Sequence, residues 1–276
     1  MKKKLFGDEI EIILSGVEES VAKEIIDEVY LEALRLQKIF NFYDKDSELS
    51  RLNKGRKLKI GKELLEILIY SLKFCKLTNG KYDISIGKNI LQRKNNEKIT
   101  TLNCSYKDIK ISGNEITLTK SDLLIDLGSV AKGYITDKLV DFLKQRGIEN
   151  GFIDSRGDIS VFGEEPMAIE IQHPRKEKEI LCSIKLKNCG VATSGDYNQY
   201  YGDFKKSHIL NQKDIISLTV IAPTLKEADI YATALFVLNK QERENLIKEN
   251  KNIKVFTIDE SLNTKKYNNF EDLICN

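Results

Sequence analysis

The spacing of apolar residues changes near Gly151, and neither an all-helical nor an all-strand fold accommodates both halves of the chain. Before that point Val21, Ile25, Val29 and Leu34 recur at helical spacing, and Leu64, Leu65, Leu68 and Leu72 line one side of a second helix. After it the period falls to two, with strands expected at 151–154, 159–162, 167–172, 181–186 and 217–222. The expected class is therefore α+β, with mostly antiparallel sheets and packed helices. No linker rich in Pro, Gly or Ser interrupts the 276 residues, which favours one compact unit of one lobe or two.

Local signals place several boundaries. A strand is expected at 10–14, and a helix over 62–78 should end in a left-handed cap at Asn79 and Gly80. Strands at 109–111 and 116–118 flank a turn through Gly113 and Asn114, and Gly147 stops a helix over 129–146. Pro223 precedes Thr224, whose side chain should cap a helix over 228–238, with Glu227 completing a capping box. Residues 42–55 and 92–101 read as loops.

Charge and composition exclude some functions. The 44 Lys and Arg against 42 Asp and Glu leave a formal charge of +2, too little for a dedicated nucleic-acid binder. No segment reaches the roughly 18 apolar residues of a membrane span. Residues 1–9 offer neither the apolar stretch of a signal peptide nor a cysteine to accept a lipid, so the expected compartment is cytoplasmic. Five scattered cysteines, without a C-x-x-C pair, read as free thiols.

Five segments combine residues able to do chemistry. Residues 43–53 (YDKDSELSRLN) and 80–87 (GKYDISIG) have ordinary readings as a polar loop and a turn into a strand. Residues 126–134 (DLGSVAKGY) pass from a strand end into a helix N-terminus. Free N–H groups there suit a phosphate, and an ordinary strand-to-helix turn is the alternative. Residues 191–201 (VATSGDYNQYY) lead to 207–211 (SHILN), which holds His208, one of two histidines. In 228–235 (ADIYATAL), Asp229 and Thr233 stand four residues apart on one helix face. That spacing lets two hard oxygen ligands share one Mg²⁺; the ordinary alternative is a dipole-compensating aspartate beside an exposed threonine.

In order and content the segments resemble the ApbE family of FAD:protein FMN transferases. The family's S-E-x-x-x-x-N is matched by Ser47, Glu48 and Asn53, and its G-x-[FY]-D by Gly80, Tyr82 and Asp83. D-L-G-x-[IV]-A-K-G-Y, T-S-G-D-Y and A-D-x-x-A-T stand at 126–134, 193–197 and 228–233, and an H-I block begins at His208. The resemblance implies a mixed fold with two subdomains around an FAD cleft, read as a single domain over 1–276. It implies FAD contacts at Tyr43, Tyr82, Asp83, Asp126, Lys132 and Ile209. Mg²⁺ would be held by the side chains of Asp229 and Thr233 and the carbonyl of Ser129, with His208 as catalytic base. The implied reaction moves FMN from FAD to a threonine or serine hydroxyl of an acceptor flavoprotein and releases AMP.

Two departures from the pattern bear on function. Arg156 stands where the family's G-G-D has its first glycine, ahead of Gly157 and Asp158. After His208 and Ile209 the family's D-P-x-T-G is replaced by a shorter run, Leu210, Asn211, Gln212, Lys213 and Asp214. That shortening keeps two alternatives open, an FAD pyrophosphatase giving FMN and AMP, and an FAD-binding protein without turnover.

Overall fold

The computed structural model describes residues 1–5, 8–176, 178–196 and 214–275, with the backbone alone at Asp8. In chain order it forms β1 (Lys2–Leu5), β2 (Asp8–Ser15), α1 (Glu19–Phe40), α2 (Glu48–Gly55), β3 (Lys57–Lys59), α3 (Lys62–Leu77) and α4 (Gly87–Lys94). There follow β4 (Ile109–Ser112), β5 (Glu115–Leu118), α5 (Ala131–Gln145), β6 (Asn150–Ser155), β7 (Asp158–Phe162), β8 (Met167–Gln172), β9 (Ile180–Leu186) and β10 (Cys189–Gly195). The chain closes with β11 (Ile215–Ala222), α6 (Leu225–Val237), α7 (Lys240–Glu249), β12 (Lys254–Asp259) and β13 (Thr264–Tyr267). No described helix is long and apolar enough to cross a membrane.

The chain divides into two units, one of Met1–Ala33 and Lys132–Asn276, the other of Leu34–Ala131. The first is built on an eight-stranded sheet in the order β1-β2-β6-β7-β10-β11-β12-β13. Every neighbouring pair is antiparallel, as the period of two implies. All eight residues of β11 are buried, so this inner strand is covered on both faces, whereas β6 buries alternate residues. Helix α6 packs on β10 and β11. The β8–β9 hairpin brings Ile169, Ile171, Ile184 and Leu186 into an apolar cluster with Val191 and Phe256 of the sheet.

Two glycines let α6 approach its neighbours. A Cβ on Gly133 of α5 would lie 2.5 Å from the Leu225 carbonyl oxygen, and one on Gly190 of β10 would lie 2.4 Å from the Leu225 Cα. Any side chain at either position would push the first turn of α6 away. Asp137, one turn along α5 from Gly133, accepts the N–H groups of Leu225 and Lys226 at 2.9 Å each. Thr224 Oγ1 accepts the Glu227 N–H at 3.2 Å, the expected cap. The return half of the box is missing among the described residues, where Glu227 Oε2 is buried without a partner.

The second unit holds a three-stranded antiparallel sheet in the order β3-β5-β4, with α2, α3 and α4. Leu49, Leu52, Leu64, Ile67, Ile116 and Leu123 are among its buried side chains. Helix α3 ends as expected, with Asn79 and Gly80 both at positive φ and the Gly80 N–H donating to Cys75 O at 2.7 Å. The expected loop at 42–55 instead contains α2, started by Ser47 accepting the Ser50 N–H at 3.0 Å. The expected loop at 92–101 begins inside the last turn of α4. Strands β1, β3, β10, β12 and β13 and helices α4 and α7 carry no assignment in the sequence reading, and the turn into a strand read at 80–87 leads instead into α4. Of these, β10 (CGVATSG) holds two glycines and small residues that dilute its period, and α7 (KQERENLIKE) is polar on most faces.

Candidate functional site

In the first unit the site is built around Asp229. Helix α6 is apolar on nearly every face, and such a helix is buried all round, so its one aspartate is carried into the interior. Asp229 is only 5% exposed, which corrects the reading of a dipole-compensating aspartate on the surface. The Gly133 N–H donates to its Oδ2 at 3.1 Å. Among the described residues no hydrogen bond reaches Oδ1. Burial pushes the carboxyl up to about 7; Lys132 works against that and Asp158 adds to it.

Lys132, in the first turn of α5, donates to Asp158 Oδ2 at the start of β7. Burial acts to lower the ammonium's pKa, but Asp158 and Asp229 outweigh it, and the net direction is upward. Asp158 belongs to the segment holding Arg156. Arg156 and Gly157 both have positive φ, 63° and 86°, and join β6 to β7 as the two central residues of a tight hairpin turn. The glycine usual at Arg156 would adopt that conformation without strain. Arg156 does so at a cost of roughly 1–2 kcal/mol. Asp154 Oδ1 steadies the turn by accepting the Gly157 N–H at 2.6 Å.

Thr233, one turn after Asp229, is half-buried, and its hydroxyl lies 3.4 Å from that of Ser194 in β10. Asp137, although it accepts two N–H groups of α6, is pushed by burial up to about 6. The sequence marks Asp158 only as the last residue of the G-G-D match and gives no sign of Asp137. Asp137 meets its partners across 88 and 89 residues, and no local motif encodes such a contact.

In the second unit, Tyr82 and Ser129 come together, with their hydroxyl oxygens 2.8 Å apart and Tyr82 buried. Asp83 is engaged locally: Oδ1 accepts the Ser85 N–H at 2.8 Å and Oδ2 the Tyr106 N–H at 3.0 Å. Asp126 accepts the Gly128 N–H at 3.1 Å, and burial raises its pKa. Tyr43 is 56% exposed, with the Lys94 ammonium 3.5 Å from its ring centroid, a cation–π contact.

His208 and Ile209 lie outside the described residues. The described chain before them ends at Asp196, the aspartate of T-S-G-D-Y. Both its carboxylate oxygens accept from the Arg175 guanidinium, at 2.6 and 2.8 Å. It resumes at Asp214, which accepts from the buried Arg243 at 2.5 Å.

Among the described residues no group of three or more His, Cys, Asp or Glu converges as a ready metal cage. A buried carboxylate with one oxygen unclaimed, followed one turn later by a hydroxyl, nevertheless fits Mg²⁺. That ion is usually held by one or two carboxylates and completes its shell from water and substrate phosphates.

Known proteins share the chain's sequence pattern and its fold. The ApbE family pattern matches residues 6–257. The FAD:protein FMN transferase of Haemophilus influenzae is 27% identical over 270 residues, covering 84% of this chain and 78% of its own. A protein of the same name from Buchnera aphidicola (subsp. Schizaphis graminum) is 31% identical over 271 residues, covering 86% and 78%. Among solved structures, the flavin transferase ApbE of Vibrio cholerae superposes with a TM-score of 0.82 at 22% identity, over 99% of this chain and 98% of that one. The ApbE protein of Thermotoga maritima reaches 0.87 at 22% identity, over 100% and 99%. The fold is thus the mixed antiparallel architecture expected, and the relatives named are enzymes. The chain belongs to the ApbE family.

Proposed function

We propose that this protein, as one domain over 1–276, transfers FMN from FAD to a threonine or serine hydroxyl of an acceptor flavoprotein, releasing AMP, in a Mg²⁺-dependent reaction. The observation that carries the reading is the buried Asp229, with Gly133 on one oxygen and Lys132 beside it, inside the stretch matched by the ApbE family. The names of the relatives support flavin transfer as the activity.

In this reading the acceptor oxygen attacks the FMN phosphorus, the bond to the oxygen bridging to AMP breaks, and AMP leaves with that oxygen. His208 takes the hydroxyl proton. Lys132, fixed by Asp158, offers a held ammonium to the diphosphate, and Tyr43, Tyr82, Asp83, Asp126 and Ile209 orient FAD, so that positioning supplies much of the rate. Mg²⁺ on Asp229, Thr233 and the Ser129 carbonyl would supply neutralisation of phosphate charge. Asp229 suits that role because, among the described residues, only one of its oxygens is taken, by the Gly133 N–H.

The test combines the protein, FAD, Mg²⁺ and a peptide bearing the family's acceptor threonine, with a chelator control. An FMN adduct and matching AMP that both vanish with chelator are expected. Free FMN and AMP without adduct would favour the pyrophosphatase, and FAD recovered intact would favour a binding protein; either overturns the transferase.

A further inference from the structure

Asn53 lies in α2 and is buried, 7% exposed. Its side-chain amide meets both backbone groups of a single residue. Nδ2 donates to the Ile125 carbonyl at 2.8 Å, and Oδ1 accepts the Ile125 N–H at 2.8 Å. In extended chain, alternate residues present their N–H and C=O to opposite edges. The groups on either side of Ile125 accordingly turn the other way. Gly87 N–H donates to Leu124 O at 2.8 Å, and Asp126 N–H donates to Ile84 O at 2.9 Å. Residues 124–126 are held along both edges, and on one of them a primary amide stands in for a neighbouring strand.

Only a primary amide offers a donor and an acceptor at that fixed separation: aspartate would set oxygen against the Ile125 carbonyl, and an aliphatic side chain would leave both groups unpaired. Asp126 is the next residue and Ser129 follows three further on. We propose that Asn53 is a positioning residue for flavin transfer, holding Ile125 so that Asp126 and Ser129 stand where FAD and the metal need them. The proposal rests on Asp126 contacting FAD, as read above.

The experiment measures FAD affinity of the full chain by quenching of flavin fluorescence in chelator, with a thermal melt of each variant. Asn53→Ala and Asn53→Asp should weaken FAD binding about tenfold or more, the scale of losing a pair of buried hydrogen bonds. Asn53→Gln, whose amide sits one methylene further out, should fold and bind between these and the wild type; it decides the matter if the other two do not fold. Asn239→Ala breaks the capping box of α7 and supplies a destabilised control, whose FAD affinity should stay within about twofold of wild type.

Folded Asn53 variants, Asn53→Gln among them, with wild-type FAD affinity would overturn the proposal. So would an equal weakening by Asn239→Ala, which would make the effect one of general stability. Asp126→Asn tells the two levels apart. If it binds FAD normally, the reading of Asp126 fails and the proposal falls with it; if it binds weakly while Asn53 variants bind normally, the proposal alone fails.

Discussion

The Gly133 N–H donates to Asp229 Oδ2 at 3.1 Å, which joins the D-L-G-x-x-A-K-G-Y segment to the A-D-x-x-A-T helix in one hydrogen bond. The contact exists because α5 and α6 meet where neither has a side chain in the way. Gly133 is therefore where packing and the site's chemistry coincide.

Gly133→Ala should be costly for its size. The added carbon would fall 2.5 Å from a backbone oxygen, so α6 must move, at roughly 1–3 kcal/mol of stability. Turnover should fall further than stability explains, because Asp229 moves with the helix. A thermal melt beside a turnover assay checks this, and an alanine variant with unchanged melting and activity would contradict the packing argument.

Asp229→Asn should separate chemistry from stability. The carboxyl's folded pKa of about 7 exceeds its ordinary 3.8, so its contribution to stability is fully present below the ordinary value and is lost as pH rises through about 7. At pH 8 in chelator, then, the amide variant should melt at or above the wild type, still accepting the Gly133 N–H. Mg²⁺-dependent turnover should disappear. A marked drop in melting temperature with turnover retained would reverse both assignments.

Asp137 gives a second pH signature. Its folded value of about 6 against an ordinary 3.8 means that stability from this group is present below the ordinary value and lost as pH rises through about 6, by at most about 3 kcal/mol. The stability of wild type relative to Asp137→Asn should accordingly fall between pH 4 and 7 in denaturant titrations. A difference that grows with pH would mean that the two N–H donors of α6 outweigh burial.

Much of the fold was legible because its signals are local. The period-two strands and the glycine-stopped helices follow from neighbours in sequence, and so does the spacing of Asp229 and Thr233. The burial of Asp229 was missed: the residue reads as an ordinary helix-dipole aspartate, although a helix as apolar as Leu225–Val237 leaves little face for water. Helix α2 was signalled by Ser47 and by Leu49 and Leu52 at helical spacing, but a short, strongly charged segment reads more readily as loop. The pairing of Lys132 with Asp158, the cap by Asp137 and the grip of Asn53 on Ile125 depend on residues 26 to 89 positions apart. Only tertiary packing decides such contacts.

The most direct test of the central claim is a single-turnover reaction of protein, FAD, Mg²⁺ and acceptor peptide in heavy-oxygen water, read by mass spectrometry. Transfer predicts FMN on the peptide and AMP in equal amounts, neither carrying solvent oxygen, because the peptide hydroxyl supplies the attacking atom. Free FMN or AMP bearing heavy oxygen, with the peptide unmodified, would show that water is the acceptor and would contradict the account.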